Sequence, residues 1–345
     1  MLLLHTADVH LGARFMRMGA FGARAREAVR ASFKRACDLA VKRRVDAVVI
    51  AGNLFDSADP PSADMACVGA CLEALSGANV PVLVLPGTDP QHDPPDSPLW
   101  RKRFPRPHGV HLLLDEEPVV LPERGLVVHP RLAPPVRFAG CRTGRAGVVE
   151  VGVAHGDCLG LAGGAAELSK EDLEASGLDY VALGHYHRPF KVAGNAWYSG
   201  SPGFVALDQA GRGSVFLVEA GSGAPRVEKV PVSPLEALEP RELHPALLRD
   251  RDALFAAAAE GAAPDAVALI KLIGEAEEGL AEWLEGELAG SFAWVGVEDG
   301  TVPPAGPTPQ SPLEGALIEA AARRGDEEAD RALSYLLSLL RGHAG

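Results

Sequence analysis

The sequence predicts an α/β protein in which two sheets pack face to face with helices outside. Three observations point there. Short apolar runs recur along the chain, and five stretches end in a polar tip: His5-Thr6-Ala7-Asp8-Val9-His10, Gly52-Asn53-Leu54-Phe55-Asp56, Gly87-Thr88-Asp89, His155-Gly156-Asp157 and Gly184-His185-Tyr186-His187. The first runs alternate with helical patterns as β-α-β-α-β, which implies parallel pairing through crossovers. From about residue 110 they follow one another as short strands, enough for a second sheet. Each tip lies at the carboxyl end of its run, where open α/β sheets place their sites.

Leu2-Leu3-Leu4 opens the chain as a strand. Residues 20 to 44 read as a helix, with Val29, Phe33, Ala36, Leu39 and Ala40 at spacings of three and four. Residues 45 to 51 form the next strand, 63 to 75 a helix and 80 to 85 a strand, after which Pro86-Gly87 opens a proline-rich loop reaching about residue 98. The later strands are His111 to Leu114, Val119 to Leu121, Val127-Val128, Val136 to Ala139 and Val148 to Ala154. A short helix over 168–176 precedes a strand over 180–183, and strands over 214–219 and 226–232 complete this part. Pro and Glu become frequent at 233–240, so the principal domain is set at 1–235. A small α/β domain follows over 236–302, with helices at 245–260 and 280–289 and strands at 266–273 and 292–297. Residues 303–345 are a stiff proline-rich linker and a helix pair. Gly325 stops the first of these helices; Asp326 caps the second, which carries Leu333, Leu336, Leu337 and Leu340 on one face.

Composition narrows the function classes. A chain of 345 residues can bury a large core and more than one domain. No apolar run approaches the ~18 residues of a membrane-spanning helix. The first residues lack a basic stretch before a long apolar core, which argues against a secretory signal. The five cysteines (37, 67, 71, 141, 158) are odd in number and lack a finger spacing, so a reducing cytoplasm is expected. The net charge of −13 excludes a protein basic overall. Locally, however, residues 14–44 hold ten Arg or Lys against two acids, and Arg101-Lys102-Arg103 with Arg106 forms a second cluster. Both are candidate phosphate contacts, against the plainer reading of a solvated face.

The tips carry the chemistry. Asp-x-His and His-x-His put two side chains on one face of an extended segment. Carboxylate and imidazole from several strand ends form the ligand set of manganese, iron or zinc. One histidine alone is an ordinary loop residue; His10, His155, His185 and His187, each at such a tip and joined by Asp8, point to convergence. His5 and Asp56 read as supports for the ligands and Asp157 as a turn residue, while His108, His111, His129, His244 and His343 read as surface residues.

Taken in order, the five motifs resemble the calcineurin-like metallophosphoesterase superfamily. The opening Leu4 to Gly12 and the stretch Tyr198-Ser199-Gly200-Ser201-Pro202 are similar to its SbcD-like DNA-repair exonuclease branch. The resemblance implies a four-layer sandwich of two mixed sheets flanked by helices, a capping domain and a terminal helix pair. It also implies a homodimer, DNA as substrate and an SbcC-like coiled-coil ATPase as partner. By resemblance Asp8, His10 and His187 hold one metal, manganese first, with iron or zinc as alternatives. His155 and His185 hold a second, Thr88 completes it, and position 53 bridges the two.

Two departures stand out. The family has Asp at position 53 and His at position 89; here they are Asn53 and Asp89. A neutral Asn53 removes a negative charge from between two dications, so one metal bound well or two bound weakly is expected. Asp89 stands where the resemblance implies a catalytic histidine, and His92, held by Asp93, is the candidate replacement. The reading is a metal-dependent phosphodiesterase, a DNA exonuclease subunit. The alternative is a catalytically degenerate DNA-binding or scaffolding subunit for the ATPase. A phosphoesterase acting on nucleotides or phosphoproteins is a third.

Overall fold

The computed structural model describes residues 1–87, 94–132, 136–158, 160, 167–207, 209–221, 223–248, 250–303 and 311–340. The chain divides into two compact units, the first comprising Met1–Arg241, Ala259–Leu269 and Leu288–Gly296.

The first unit begins with β1 (Leu2–Thr6), α1 (Phe21–Arg43), β2 (Ala47–Ala51), α2 (Ser62–Gly77), β3 (Val82–Leu85) and β4 (Val110–Leu112). The four strands pair in parallel in the order β1-β2-β3-β4. β1, β2 and β3 are buried on both faces, which is why they lie in largely apolar runs, while the edge strand β4 is half-buried. Even positions such as Leu4, Val48, Ile50, Val82 and Val84 pack with Val29, Phe33 and Ala36 of α1 and with Val68, Leu72 and Leu75 of α2. Odd positions such as Leu3, Ala47, Val49, Leu83 and Leu85 pack with the second sheet.

That second sheet is built from β5 (Val119–Leu121), β6 (Leu126–Arg131), β7 (Val149–His155), β8 (Tyr180–Gly184), β9 (Phe190–Ala193) and β10 (Ala196–Tyr198), with α3 (Lys170–Ala175) between β7 and β8. Its order is β5-β6-β7-β8-β10-β9, with a parallel core and antiparallel edges. Leu173 of α3 and Phe138 cover its outer face at Ala154, Val181 and Leu183. The first sheet continues through β11 (Gly211–Glu219), antiparallel to β1, and β12 (Arg226–Ala237), antiparallel to β11. Two mixed sheets with helical layers outside are therefore present, as expected from sequence.

The second unit contains α4 (Arg251–Ala258) and most of β13 (Arg241–Leu243), β14 (Ala266–Glu275), α5 (Leu280–Leu288) and β15 (Trp294–Val302), and β15 pairs with β14. The helices α6 (Pro312–Arg324) and α7 (Glu327–Leu340) follow. Ser311 caps α6 through Glu314 N, and Gly325 ends it in the left-handed conformation. Among the described residues no helix is long and apolar enough to cross a membrane.

Several local expectations need correction. Val136–Ala139 is not a strand: Val136 makes one isolated bridge to Leu168, and the amides of Phe138 and Ala139 donate to the Asp172 carboxylate instead. The helix expected over 245–260 is a 3-10 turn at Pro245–Leu247 followed by α4, because Pro245 fixes the first turn and Leu248 is extended. β9 is too short to carry a readable alternation. His129 is not a surface residue. It is buried, with Nε2 2.9 Å from Glu150 Oε2.

Glu150 also accepts from the Thr143 amide and hydroxyl and from the Gly144 amide. Burial alone raises a carboxyl pKa; these donors outweigh it and hold Glu150 at about 2. Glu150→Ala strands those donors and His129 inside the protein. It is expected to cost about 3 kcal/mol or more in urea unfolding at pH 7, and a loss below about 1 kcal/mol would contradict this account.

Candidate metal centre

Parallel pairing delivers the tips of β1, β2, β7 and β8 to one edge. Thr6 pairs with Ile50, and His155 with Gly184, so Asp8, Asn53, His155 and His185 leave their strands at similar heights. The two sheets meet closely at this edge. A methyl group on Gly52 would stand 2.1 Å from His155 Nδ1, and one on Gly184 would stand 1.8 Å from the Ala51 carbonyl oxygen. Only glycine fits at either position.

That closeness lets hydrogen bonds cross between the sheets. His155 Nδ1 donates to the Ala51 carbonyl at 3.0 Å. The His185 amide donates to Asp8 Oδ2 at 2.9 Å. A carbonyl only accepts, so Nδ1 of His155 carries the hydrogen and Nε2 keeps its lone pair for a ligand. Burial lowers the His155 pKa to about 3, with the neighbouring histidines acting in the same direction. The ring is therefore neutral, the form that binds metal. His10 is oriented the same way: Nδ1 stands 3.0 Å from Asp56 Oδ1, which fixes the tautomer with the lone pair on Nε2.

Asp8, His10 and His187 come together, with one potential ligand atom from each lying within 4.8 Å of the others. The His10 and His187 rings meet edge to face, centroids 5.0 Å apart, as do His155 and His185 at 5.7 Å. Asn53 lies in the same loop system; its carbonyl accepts from the His10 amide at 3.0 Å. Its side-chain Oδ1 is buried and has no hydrogen-bond partner among the described residues. An imidazole and carboxylate set with an orphaned oxygen in the same loop system suits a divalent cation. Thr88, Asp89, His92 and Asp93 lie outside the described residues.

Backbone strain marks the same place, and no sequence signal gave it away. Asp8, His10, Asn53 and His185 all have positive φ (51°, 51°, 47° and 125°). Such conformations cost on the order of 1–3 kcal/mol each and concentrate where side chains must be held for function.

The supporting residues divide. Asp56 holds His10 as expected. His5 does not reach the site: its ring is fully buried between the sheets, with Nδ1 2.8 Å from the Tyr180 hydroxyl. Asp157 is a turn residue, accepting from the Gly160 amide and the Tyr186 hydroxyl.

Neither basic cluster is one continuous free surface. Helix α1 has 23 residues and so spans about 34 Å, leading from the site edge to the opposite edge. Arg30, Lys34 and Arg43 are ion-paired with Glu27 and Asp64, Asp38, and Glu228 respectively. Arg14, Arg17 and Arg24, toward the site end, are exposed. Arg101 and Lys102 are exposed on the turn Leu99–Arg103, which packs Trp100 and Phe104 against Phe55 of the Asn53–Asp56 loop.

No family model matches the chain. Over 94 residues it is 40% identical to a DNA double-strand break repair protein Mre11 of Aeropyrum pernix, covering 27% of this chain and 21% of that protein. It is 29% identical over 272 residues to the SbcD component of the nuclease SbcCD of Bacillus subtilis, covering 65% of this chain and 67% of the relative. An uncharacterized metallophosphoesterase YhaO of the same organism is 27% identical over 202 residues, 54% of this chain and 48% of the relative. The chain thus spans about a fifth of the length of the Mre11 relative and two thirds of the SbcD relative.

Proposed function

We propose, from the premise that the chain is a relative of the SbcD-type calcineurin-like metallophosphoesterases, that it is a metal-dependent phosphodiesterase acting on DNA. The observation that carries this is the convergence of Asp8, His10 and His187 within 4.8 Å, beside a neutral His155, at the shared edge of two sheets. Asp8, His10 and His187 would hold one divalent ion, with manganese as the proposed metal. His155 and His185, with Thr88, would hold a second, and Asn53 lies in the same loop system. A bound ion supplies a water of lowered pKa and neutralises charge on the phosphate. The protein's own part is to fix donor geometry: Asp56 and the Ala51 carbonyl set the tautomers of His10 and His155. Asp89 and His92 are the proposed catalytic residues, as the resemblance implies for this stretch. Arg101, Lys102 and the exposed arginines before and early in α1 are the proposed phosphate contacts.

The proposed division keeps a nuclease domain at 1–235, a capping domain at 236–302 and the helix pair at 303–345. On α7, Leu336, Leu339 and Leu340 are exposed beside Tyr335, which is 66% exposed, and this strip is the proposed seat of a coiled-coil ATPase partner. A homodimer and a cytoplasmic location complete the reading. The second reading, a scaffolding subunit with weakened chemistry, is favoured by one residue: Asn53 offers no charge between two cations.

The deciding experiment is Mn²⁺-dependent cleavage of end-labelled duplex and hairpin DNA. Wild type is expected to cut and His187→Ala to lose at least about a hundredfold in rate, since even outer partners of a metal site reach that effect. A silent wild type rescued by Asn53→Asp would favour the scaffold reading; silence in both would sink the nuclease.

A further inference from the structure

The stretch Tyr198-Ser199-Gly200-Ser201-Pro202 begins at the last residue of β10 and contains none of the proposed metal donors. It nevertheless touches both loops that carry the histidine donors. Tyr198 is fully buried, its ring against Tyr186 and Phe190 with centroids 4.9 Å away in each case. Its hydroxyl donates to the Gly156 carbonyl at 2.6 Å and accepts from the Cys158 amide at 3.2 Å. The directions are forced, since a carbonyl cannot donate and an amide N–H cannot accept. One hydroxyl thereby satisfies two backbone groups of the loop that begins at His155. Three residues on, the Ser201 amide donates to the His187 carbonyl at 2.9 Å. Gly200 has φ 70°, and a methyl group there would stand 2.7 Å from the same carbonyl. β10 runs parallel to β8 with Tyr198 opposite Leu183, so the stretch lies alongside the residues leading to His187.

We propose that residues 198–202 are the common mount of the two histidine loops, with Tyr198 the positioning residue for His155 and Gly200 for His187. This rests on the metal-site reading above. Donor groups of a metal site must be held to within a fraction of an ångström, and packing behind them supplies that precision. Tyr198 does so for a loop that is also held by the Gly156 amide on the Gly184 carbonyl and by the Tyr186 hydroxyl on Asp157. Burial pushes the Tyr198 phenol well up, so it keeps the proton it donates.

The test uses the full chain and Mn²⁺ alone. Binding is followed by titration calorimetry in wild type, Tyr198→Phe, Gly200→Ala, His155→Ala and His187→Ala, with amide hydrogen exchange on the metal-free proteins. Tyr198→Phe keeps the ring and removes the hydroxyl. It is expected to speed exchange at Cys158, leave the melting midpoint nearly unchanged, and weaken by about tenfold or more the Mn²⁺ uptake that depends on His155. Gly200→Ala is expected to weaken the uptake that depends on His187. Tyr198→Phe binding as wild type, or faster exchange without weaker binding, overturns the assignment, as does His155→Ala binding as wild type. A wild type that takes up no Mn²⁺ overturns the metal reading and the assignment together. That outcome is distinct from failure of the assignment alone, in which wild type binds and Tyr198→Phe binds equally.

Discussion

Asn53→Asp is expected to take up Mn²⁺ about a hundredfold more tightly than the wild type, and to be the less stable of the two once the metal is stripped. Asn53 is 6% exposed, and its Oδ1 has no hydrogen-bond partner among the described residues. Its positive φ and its backbone bond to His10 fix the side chain's starting point independently of its charge. A unit charge about 4 Å from a dication is worth roughly 8 kcal/mol at an effective dielectric of ~20. Removing a carboxylate from water takes back several kcal/mol. A net gain of about 3 kcal/mol corresponds to roughly a hundredfold in affinity. Without metal the same carboxylate stands buried near Asp8 and either costs on the order of 3 kcal/mol or takes up a proton. Calorimetric titration with Mn²⁺, and urea unfolding in chelator, read the two halves separately. Equal Mn²⁺ affinity in both proteins would remove Asn53 from the metal centre.

The metal-free protein is expected to lose about 3 kcal/mol of stability between pH 7.5 and pH 5.5. Two buried imidazoles drive this. Burial lowers the pKa of His5 to about 3, against the bond it makes to the Leu183 backbone, and that of His155 also to about 3. In the unfolded chain each returns to about 6.5. Between those values the unfolded state binds more protons, so stability rises with pH. The contribution is complete above pH 6.5 and drains away as pH falls toward 3. One unit below 6.5 each ring has cost about 1.4 kcal/mol, which gives the figure for two. Glu150, held at about 2, adds in the same direction only below about pH 4.5. His5→Gln should halve the loss, because it removes one titrating ring that is not among the proposed metal ligands. Urea unfolding in chelator at the two pH values decides, and identical stabilities would show that neither ring is protonated only on unfolding.

The fold, and the strand ends from which most of the candidate site residues emerge, were legible in the sequence for a simple physical reason. A strand buried on both faces must be a continuous apolar run, and its polar end must be a loop, so Leu2–Leu4, Val45–Ala51 and Tyr180–Leu183 each announced where Asp8, Asn53 and His185 would emerge. Short-range chemistry was legible too: Ser311 and Gly325 bound a helix whatever surrounds it. What the chain order does not contain is the distance between sheets. Val136–Ala139 has strand composition, yet its amides are taken by Asp172, thirty-odd residues away. His129 looks like any loop-edge histidine until Glu150 closes on it from the neighbouring strand. His5 belongs to a motif by sequence and to the inter-sheet core by position. Only the tertiary structure decided which basic residues of α1 are neutralised, that Gly52 is demanded by His155 of the other sheet, and that Gly184 is demanded by the Ala51 carbonyl. Only there does the Asp8, His10 and His187 set close to within 4.8 Å. Periodicity along a chain records which face each residue must bury; the partner it meets there is set by packing between segments far apart in sequence.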